Sequence, residues 1–303
     1  MNSFSIHTLG CGSARPSLRH QPSSTVVNHR GNLFMVDCGE GAQLGLMRQR
    51  LPFNRLRHIF LTHLHGDHVF GLPGLVGTLA LNNTGGDLTI HTFEEGKRQL
   101  ESIFRYFNRD TPFDIRFNVI KPEEAVILST KSLTVRTVPL KHRVDTVGFI
   151  FEETPKLRHI NPEMTRFHNV PHYMMNSLKE GADFITPDGR TIPNEILTTP
   201  PSPSLSYAHM SDTVYMPELA EKIGPVDLLF HETTYLEEHR ALAAPRGHST
   251  ARQAAMVARD AGARCLLTGH YSSRYNDDFL FKREAEEIFP HVILNREGLV
   301  VQL

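Results

Sequence analysis

The feature that most constrains this chain is a cluster of metal-binding residue types at the end of an apolar run. The run His58-Ile59-Phe60-Leu61 leads through Thr62 into His63-Leu64-His65-Gly66-Asp67-His68. A β-strand that ends in such a cluster delivers imidazoles and a carboxylate to one point in space. These groups suit zinc, and an aspartate near a metal-bound water is a candidate base. The pattern therefore predicts a metal centre rather than a polar loop with scattered surface histidines.

Composition narrows the class of protein without deciding its activity. The chain has 303 residues, 40% of them hydrophobic and 21% charged, which predicts a globular protein with one large domain or two small ones. Its net charge of −1 means that a polyanionic partner must be held by a local basic patch. Three widely spaced cysteines argue against a disulfide framework. With no signal-like N-terminus and no membrane-length apolar run, the sequence predicts a cytoplasmic protein.

Polar residues of the same kind follow several other predicted strands. His142, Asp212, His231 and His270 each stand at the end of an apolar run, as His63 does. Strands that carry such residues at the same end define one rim of a sheet, where α/β enzymes gather their chemistry. Each residue alone indicates little, but together they predict a constellation around the histidine cluster.

Residues 150–205 differ from the rest of the chain and are predicted to form an inserted arm. Prolines punctuate this segment, and it carries Lys156, Arg158 and Lys179 together with the aromatic residues Phe167 and Tyr173. Basic residues interleaved with aromatic ones suit nucleic acid. An ordinary solvated insertion explains the composition equally well.

The motifs resemble a known family. His63-Leu64-His65-Gly66-Asp67-His68 is similar to the signature of the metallo-β-lactamase superfamily. The stretches that resemble its ribonuclease Z family, the tRNA 3′-processing endonucleases, are Leu61–Leu75, Asp37–Gln43, His231–Thr234, Gly247–Ala255 and His270–Tyr275. This resemblance covers nearly the whole chain.

The resemblance implies a fold and a metal site. The fold is α/β (α+β), a single metallo-β-lactamase αββα sandwich over residues 1–303 with the inserted arm within it. The resemblance also implies two zinc ions, although manganese or cobalt would suit the same donors. One ion takes His63, His65, His142 and Asp212, and the other takes Asp67, His68, Asp212 and His270.

The implied activity is that of a zinc-dependent endoribonuclease that removes the 3′ trailer of precursor tRNA. A metal hydroxide would attack the phosphodiester, with Asp67 orienting or deprotonating the water. His248 would protonate the leaving 3′ oxygen, supported by Glu232 and His231. The residues expected to bind tRNA are Arg274, Arg252, Lys156, Arg158 and Lys179. A homodimer is also expected, in which the arm of one subunit serves the active site of the other.

Several alternatives stay open. The loop Pro16–Gln21 departs from the family pattern, which leaves discrimination against a CCA tail undetermined and favours, as an alternative, a small-molecule zinc phosphodiesterase or sulfatase of the same superfamily. A non-catalytic tRNA-binding protein is a further alternative. His248 could be only a neighbour of a helix cap, and Arg252 only a structural ion-pair former. Amphipathic segments near Leu75 and Leu100 are candidates for the dimer interface.

Overall fold

The computed structural model describes residues 4–82 and 86–303. Its strands are β1 (Phe4–Gly10), β2 (Ser24–His29), β3 (Asn32–Val36), β4 (Leu56–Phe60), β5 (Leu88–Thr92), β6 (Ile115–Val119), β7 (Val126–Ser129), β8 (Leu133–Leu140), β9 (Thr146–Glu153), β10 (His159–Ile160), β11 (Phe184–Ile185), β12 (Thr191–Ile192), β13 (Thr198–Thr199), β14 (Ser206–Met210), β15 (Leu228–Glu232), β16 (Cys265–Gly269), β17 (Val292–Ile293) and β18 (Val300–Gln302). Its helices are α1 (Ala42–Arg48), α2 (Gly66–Val69), α3 (Leu72–Leu81), α4 (Glu94–Phe107), α5 (Pro162–Phe167), α6 (Met175–Lys179), α7 (Asn194–Leu197), α8 (Leu219–Ile223), α9 (Arg240–Ala243), α10 (Ala251–Ala261) and α11 (Phe279–Glu286).

One seven-stranded sheet has the order β18-β1-β2-β3-β4-β5-β6. Strands β3 to β6 pair in parallel, so each crossover needs a connecting helix, and α1, α3 and α4 lie in these connections. Their apolar residues, including Leu46, Leu75 and Phe104, are buried in one core cluster with sheet residues such as Met35 and Ile59. Burial of these apolar residues holds the three helices against the outer face of the sheet.

The second seven-stranded sheet has the order β17-β16-β15-β14-β9-β8-β7. Strands β14 to β17 are parallel, and α8, α10 and α11 lie between them in sequence. Residues Leu219, Ala254, Val257 and Phe281 of these helices share a core cluster with Leu229 of β15. This sheet therefore also carries its helices on one face.

Aromatic side chains fill the space between the two sheets. The Phe60 ring of the first sheet lies 5.3 Å from the Phe149 ring and 5.5 Å from the Phe151 ring of the second. Phe34 lies 6.3 Å from Phe151. With helices outside and two sheets inside, the predicted αββα sandwich is confirmed.

The chain divides into two compact units, each with its own core. One comprises residues 1–129, 135–151 and 205–303, and the other comprises residues 130–134 and 152–204. The second unit contains the strand pairs β10–β13 and β11–β12, and its core is built on Leu178, Phe184 and Leu197. Its longer segment lies within the predicted arm.

Among the described residues, no helix combines the length and the apolar character needed to cross a bilayer.

Candidate metal centre

The seven predicted metal ligands lie together where the strands of the two sheets end. They form two groups: His63, His65, His142 and Asp212 in one, and Asp67, His68 and His270 in the other. Within each group the donor atoms lie within 4.8 Å of one another. His63 follows β4, Asp212 follows β14 and His270 follows β16, so the carboxyl ends of parallel strands set the position of the site.

Asp212 joins the two groups through its two carboxylate oxygens. Its Oδ2 lies 3.8 Å from Nε2 of His63 and 3.8 Å from Nε2 of His142. Its Oδ1 lies 3.7 Å from Nε2 of His68 and 3.3 Å from Nε2 of His270. One oxygen therefore faces each group, which is the arrangement that a carboxylate bridging two cations requires.

Hydrogen bonds at the Nδ1 atoms of His68 and His63 turn their Nε2 atoms toward the other candidate ligands. The Nδ1–H of His68 donates to Oδ2 of Asp37 at 2.7 Å. Asp37 also accepts from the backbone N–H and the hydroxyl of Thr62, both at 2.8 Å. The Thr62 oxygen lies 3.1 Å from Nδ1 of His63. An imidazole that donates through one nitrogen presents a lone pair at the other, as metal-ligating histidines do.

The same arrangement recurs behind His142 and His270. The Nδ1–H of His142 donates to the carbonyl oxygen of Gly247 at 2.7 Å. The Thr234 hydroxyl donates to Glu232, and its oxygen accepts from Nδ1 of His270 at 2.8 Å. His65 is oriented differently, because it turns its Nδ1 toward the other candidate ligands. This Nδ1 lies 3.0 Å from Nε2 of His63 and 3.2 Å from Nε2 of His142.

The donor set fits divalent metal ions. Nε2 of His68 and Nε2 of His270 are buried and have no hydrogen-bond partner. Such atoms are costly to bury unless a ligand satisfies them. Burial and the neighbouring imidazole of His68 hold the pKa of His63 well below its usual range, so His63 presents a neutral lone pair. Burial opposes the charged form of Asp67, but the neighbouring imidazoles of His270 and His68 lower its pKa.

His248 lies beside this candidate centre, together with Glu232. Its Nδ1 donates to Oε1 of Glu232 at 3.0 Å and lies 3.8 Å from Oδ2 of Asp212. Burial disfavours the imidazolium, but the Glu232 and Asp212 carboxylates outweigh it and raise the pKa of His248 to about 9. Glu232 also accepts from the N–H groups of Thr213 and Ser249. This carboxylate therefore fixes both the orientation and the protonation of His248.

His231 does not make the contact with His248 that the sequence suggested. Successive residues of a strand point to opposite faces of a sheet, and Glu232 is the one that faces His248. The His231 Nδ1–H donates to the carbonyl oxygen of Glu232 at 2.8 Å, and its Nε2 is buried without a partner. Support of His248 thus comes from Glu232 and from the Thr234 hydroxyl oxygen at 3.3 Å.

Some of the predicted tRNA-binding side chains form ion pairs or hydrogen bonds within the protein, and others are exposed. Arg252 forms an ion pair with Glu287, the residue that directly follows α11, as the structural alternative expects. Lys156 is bound 2.6 Å from Glu153, and its ammonium group also donates to the Pro203 carbonyl. Both side chains are therefore paired within the protein, and their contact with tRNA stays a prediction. The three others are Arg158, which donates to Thr198, Lys179, which lines a groove of the second unit, and the exposed Arg274.

The fold and the site together define a metal-dependent hydrolase of the metallo-β-lactamase fold. Residues 199–271 match the family model described as "Beta-lactamase superfamily domain". Residues 4–160 match the family model described as "Anti-Pycsar protein Apyc1".

Relatives that match the whole chain identify the family. Ribonuclease Z of Parabacteroides distasonis is 46% identical over 99% of both chains. Ribonuclease Z of Bacteroides thetaiotaomicron is 44% identical over all of this chain and 96% of its own. The chain belongs to the ribonuclease Z family. The crystal structure of the short form of human tRNase Z has the same fold, with a TM-score of 0.70, 22% identity and 98% coverage of both chains.

Proposed function

We propose that this protein is a metal-dependent endoribonuclease that removes the 3′ trailer of precursor tRNA. The observation that supports this activity best is the full-length likeness to proteins named ribonuclease Z, which includes the second unit. A hydrolase of small phosphodiesters needs no such additional unit to hold its substrate.

The proposed cofactor is a pair of zinc ions, one in each ligand group, with Asp212 shared between them. Imidazole and carboxylate donors suit zinc, while manganese and cobalt are chemically compatible. When bound, two such ions would lower the pKa of a coordinated water and offset the charge of the phosphodiester. The other contributions come from the protein's own side chains.

His248 is the proposed proton donor to the leaving 3′ oxygen of the tRNA. Since Nδ1 of His248 is held by Glu232, the opposite nitrogen is the one available to the substrate. Its pKa of about 9 keeps the ring protonated at neutral pH, which an acid catalyst requires. Asp67 is the proposed residue that orients the attacking water, because its carboxylate lies among the ligands of the second group.

The second unit is the proposed tRNA-binding element. A groove of about 460 Å³ on this unit is lined by basic residues that include Arg166, His172 and Lys179. Phe167 and Tyr173 are exposed by 74% and 79%. Cations hold a phosphate backbone, and exposed rings can stack on unpaired bases. The cytoplasm is the proposed site of action, because precursor tRNA is made there in bacteria such as those that carry the relatives.

A homodimer is also proposed, but not through the residues that the sequence suggested. Leu75 and Leu100 are buried within the core of this chain and are therefore not available to a second copy. Met47 of α1, Phe70 directly after α2 and Phe107 of α4 are exposed by 57%, 69% and 73%. Exposed apolar groups of this size suit a protein interface.

The deciding experiment compares two substrates and two histidine variants. Precursor tRNA with and without CCA is assayed beside bis-p-nitrophenyl phosphate for wild type, His248→Ala and His239→Ala. His239 is the control, because it lies outside the ligand groups and its Nδ1 lies 2.8 Å from the Tyr275 hydroxyl. We expect His248→Ala to lower cleavage of tRNA by about 10²–10⁴-fold. Cleavage of the activated ester, whose leaving group needs no proton, falls far less.

Other outcomes would contradict the proposal in distinguishable ways. Cleavage of the ester alone would favour a small-molecule phosphodiesterase. Binding of tRNA without cleavage of either substrate would favour a non-catalytic tRNA-binding protein. Equal losses in His248→Ala and His239→Ala would refute the role of His248 as the acid.

A further inference from the structure

The loop Cys11–Gln21 contacts the candidate metal centre through its backbone. The N–H of Ala14 donates to Oδ2 of Asp67 at 2.8 Å. That same oxygen lies 3.5 Å from Nε2 of His68 and 3.5 Å from Nε2 of His270. The bond from Ala14 therefore restricts the rotation of the carboxylate that faces the second ligand group.

The same loop is also paired with the chain next to His270. The N–H of Tyr271 donates to the carbonyl oxygen of Cys11, and the N–H of Ser13 donates to the carbonyl oxygen of Tyr271, both at 3.0 Å. The loop thus lies against two ligands of one group, Asp67 and His270. A change in the conformation of this loop would therefore alter the positions of both candidate ligands.

A buried histidine fixes the far side of this loop. His20 is 8% exposed, and its Nε2 lies 2.8 Å from Oδ2 of Asp278 while its Nδ1 lies 3.1 Å from Oε2 of Glu297. Both ring nitrogens face carboxylate oxygens, so both donate and the ring is an imidazolium. Glu297 also accepts from the backbone N–H of Gln21 at 2.9 Å. His20 therefore joins the loop to two segments that are distant in sequence.

We propose that His20 is a positioning residue for the metal centre. Its contacts with Asp278 and Glu297 hold the loop Cys11–Gln21 in place, so that the Ala14 N–H orients Asp67 toward the second ligand group. This inference rests on the proposed role of Asp67 as a metal ligand.

A metal ion bound by the His20 cluster itself explains these contacts less well. Cys11, His20 and Glu297 do bring three donor atoms within 4.8 Å. However, both nitrogens of His20 are already engaged by carboxylates, which leaves no lone pair for a metal. Burial and the Glu297 carboxylate raise the pKa of the Cys11 thiol, which disfavours the thiolate that a metal would need.

The test measures metal affinity and loop order as well as activity. Zinc is titrated into the metal-free protein against a chromophoric chelator for wild type, His20→Ala, His20→Gln and Ile223→Ala. Ile223, the last residue of α8, is buried in the hydrophobic core of the second sheet and its helices. Its truncation therefore provides a control for loss of stability alone. Hydrogen exchange of the peptide that contains Ala14, together with kcat and KM for bis-p-nitrophenyl phosphate, completes the comparison.

We expect His20→Ala to weaken the binding of one zinc ion by about 10-fold, the lower end of the effect of residues that support metal ligands. Exchange at Ala14 becomes faster, and kcat falls while KM is unchanged, since His20 does not touch the substrate. His20→Gln, which keeps one donor, recovers part of the affinity.

Three results would overturn the inference. They are wild-type zinc affinity in His20→Ala, unchanged exchange at Ala14, or the same loss of affinity in Ile223→Ala. If His20→Ala does not fold, His20→Gln and Asp278→Asn are compared with Ile223→Ala by the same criteria. Failure of the wild type to bind any zinc would overturn the proposed metal centre as well, and is distinguishable because all variants would then behave alike.

Discussion

Replacement of Asp37 by asparagine is expected to impair one candidate metal ligand, His68, although Asp37 is not itself a member of the ligand groups. Asp37 is 1% exposed and accepts three hydrogen bonds, from the Thr62 N–H, the Thr62 hydroxyl and the His68 Nδ1–H. Asparagine has the same shape but offers one oxygen and one NH₂ group. If its oxygen accepts from the Thr62 N–H, its NH₂ faces Nδ1 of His68, and two donors then meet.

The expected consequence is a change in the tautomer of His68. The ring can accept from the new NH₂ group only by moving its proton to Nε2, the atom that faces Asp67 and Asp212. A proton there removes the lone pair that a metal needs. A hydrogen bond to a charged group contributes about 1.5–3 kcal/mol, so we expect about 10- to 150-fold weaker binding of one zinc ion.

The assay is a zinc titration of the metal-free protein at neutral pH, with circular dichroism to verify folding. Asp227→Asn is the matched control. Its carboxylate accepts from the N–H of Ser206 at 2.8 Å and from the Ser206 hydroxyl at 3.2 Å, before the start of β15 and thus at the opposite end of the sheet. We expect this control to bind zinc as the wild type does. Wild-type affinity in Asp37→Asn would refute the argument that Asp37 sets the tautomer of His68.

Three further predictions follow from the same contacts. Burial lowers the pKa of His91 to about 3, below the unfolded value of about 6.5. The metal-free protein should therefore lose up to about 1.4 kcal/mol of unfolding free energy per pH unit as pH falls from 6.5 toward 3, and His91→Gln should show a shallower loss in denaturant titrations. Arg166→Glu should raise KM for precursor tRNA about 10-fold and reduce its salt dependence, while bis-p-nitrophenyl phosphate serves as a substrate that should not respond. Chelation of the metal should lower the Tm, because zinc at about 1,000 times its Kd would add about 4 kcal/mol; a Tm that zinc does not change would contradict a bound-metal site.

The position of the candidate metal ligands could be predicted from the sequence because one physical rule governs it. The carboxyl ends of parallel strands meet at one edge, and apolar runs mark those strands clearly. The histidine cluster after β4 and the residues after β14 and β16 were therefore located before any geometry was known. Asp37 follows β3 at the same edge, so the same rule could have identified its part in the site.

The orientation and the partners of side chains could not be obtained in this way. β15 is buried on both faces, so its apolar run shows no alternation that would separate His231 from Glu232. Arg252 and Glu287 are 35 residues apart in sequence and meet only because α10 packs against α11. A basic residue in a loop looks the same in sequence whether its charge is neutralised by the protein or available to a substrate.

The backbone conformation near the site indicates where this fold accepts strain for function. Six non-glycine residues have a left-handed φ in the described parts of the chain, and three of them, Ala14, Asp37 and His270, with φ of 65°, 57° and 61°, lie at the candidate centre. Such a conformation costs on the order of 1 kcal/mol for a residue with a side chain. Glycine would avoid that cost at either position. At His270, however, it would remove a proposed metal ligand, and at Asp37 it would remove the hydrogen-bond partner of His68. Ala14 uses the same conformation where its N–H meets Asp67. Half of these strained residues thus hold or orient candidate ligands, and a lower-energy backbone at those three positions would lose the site.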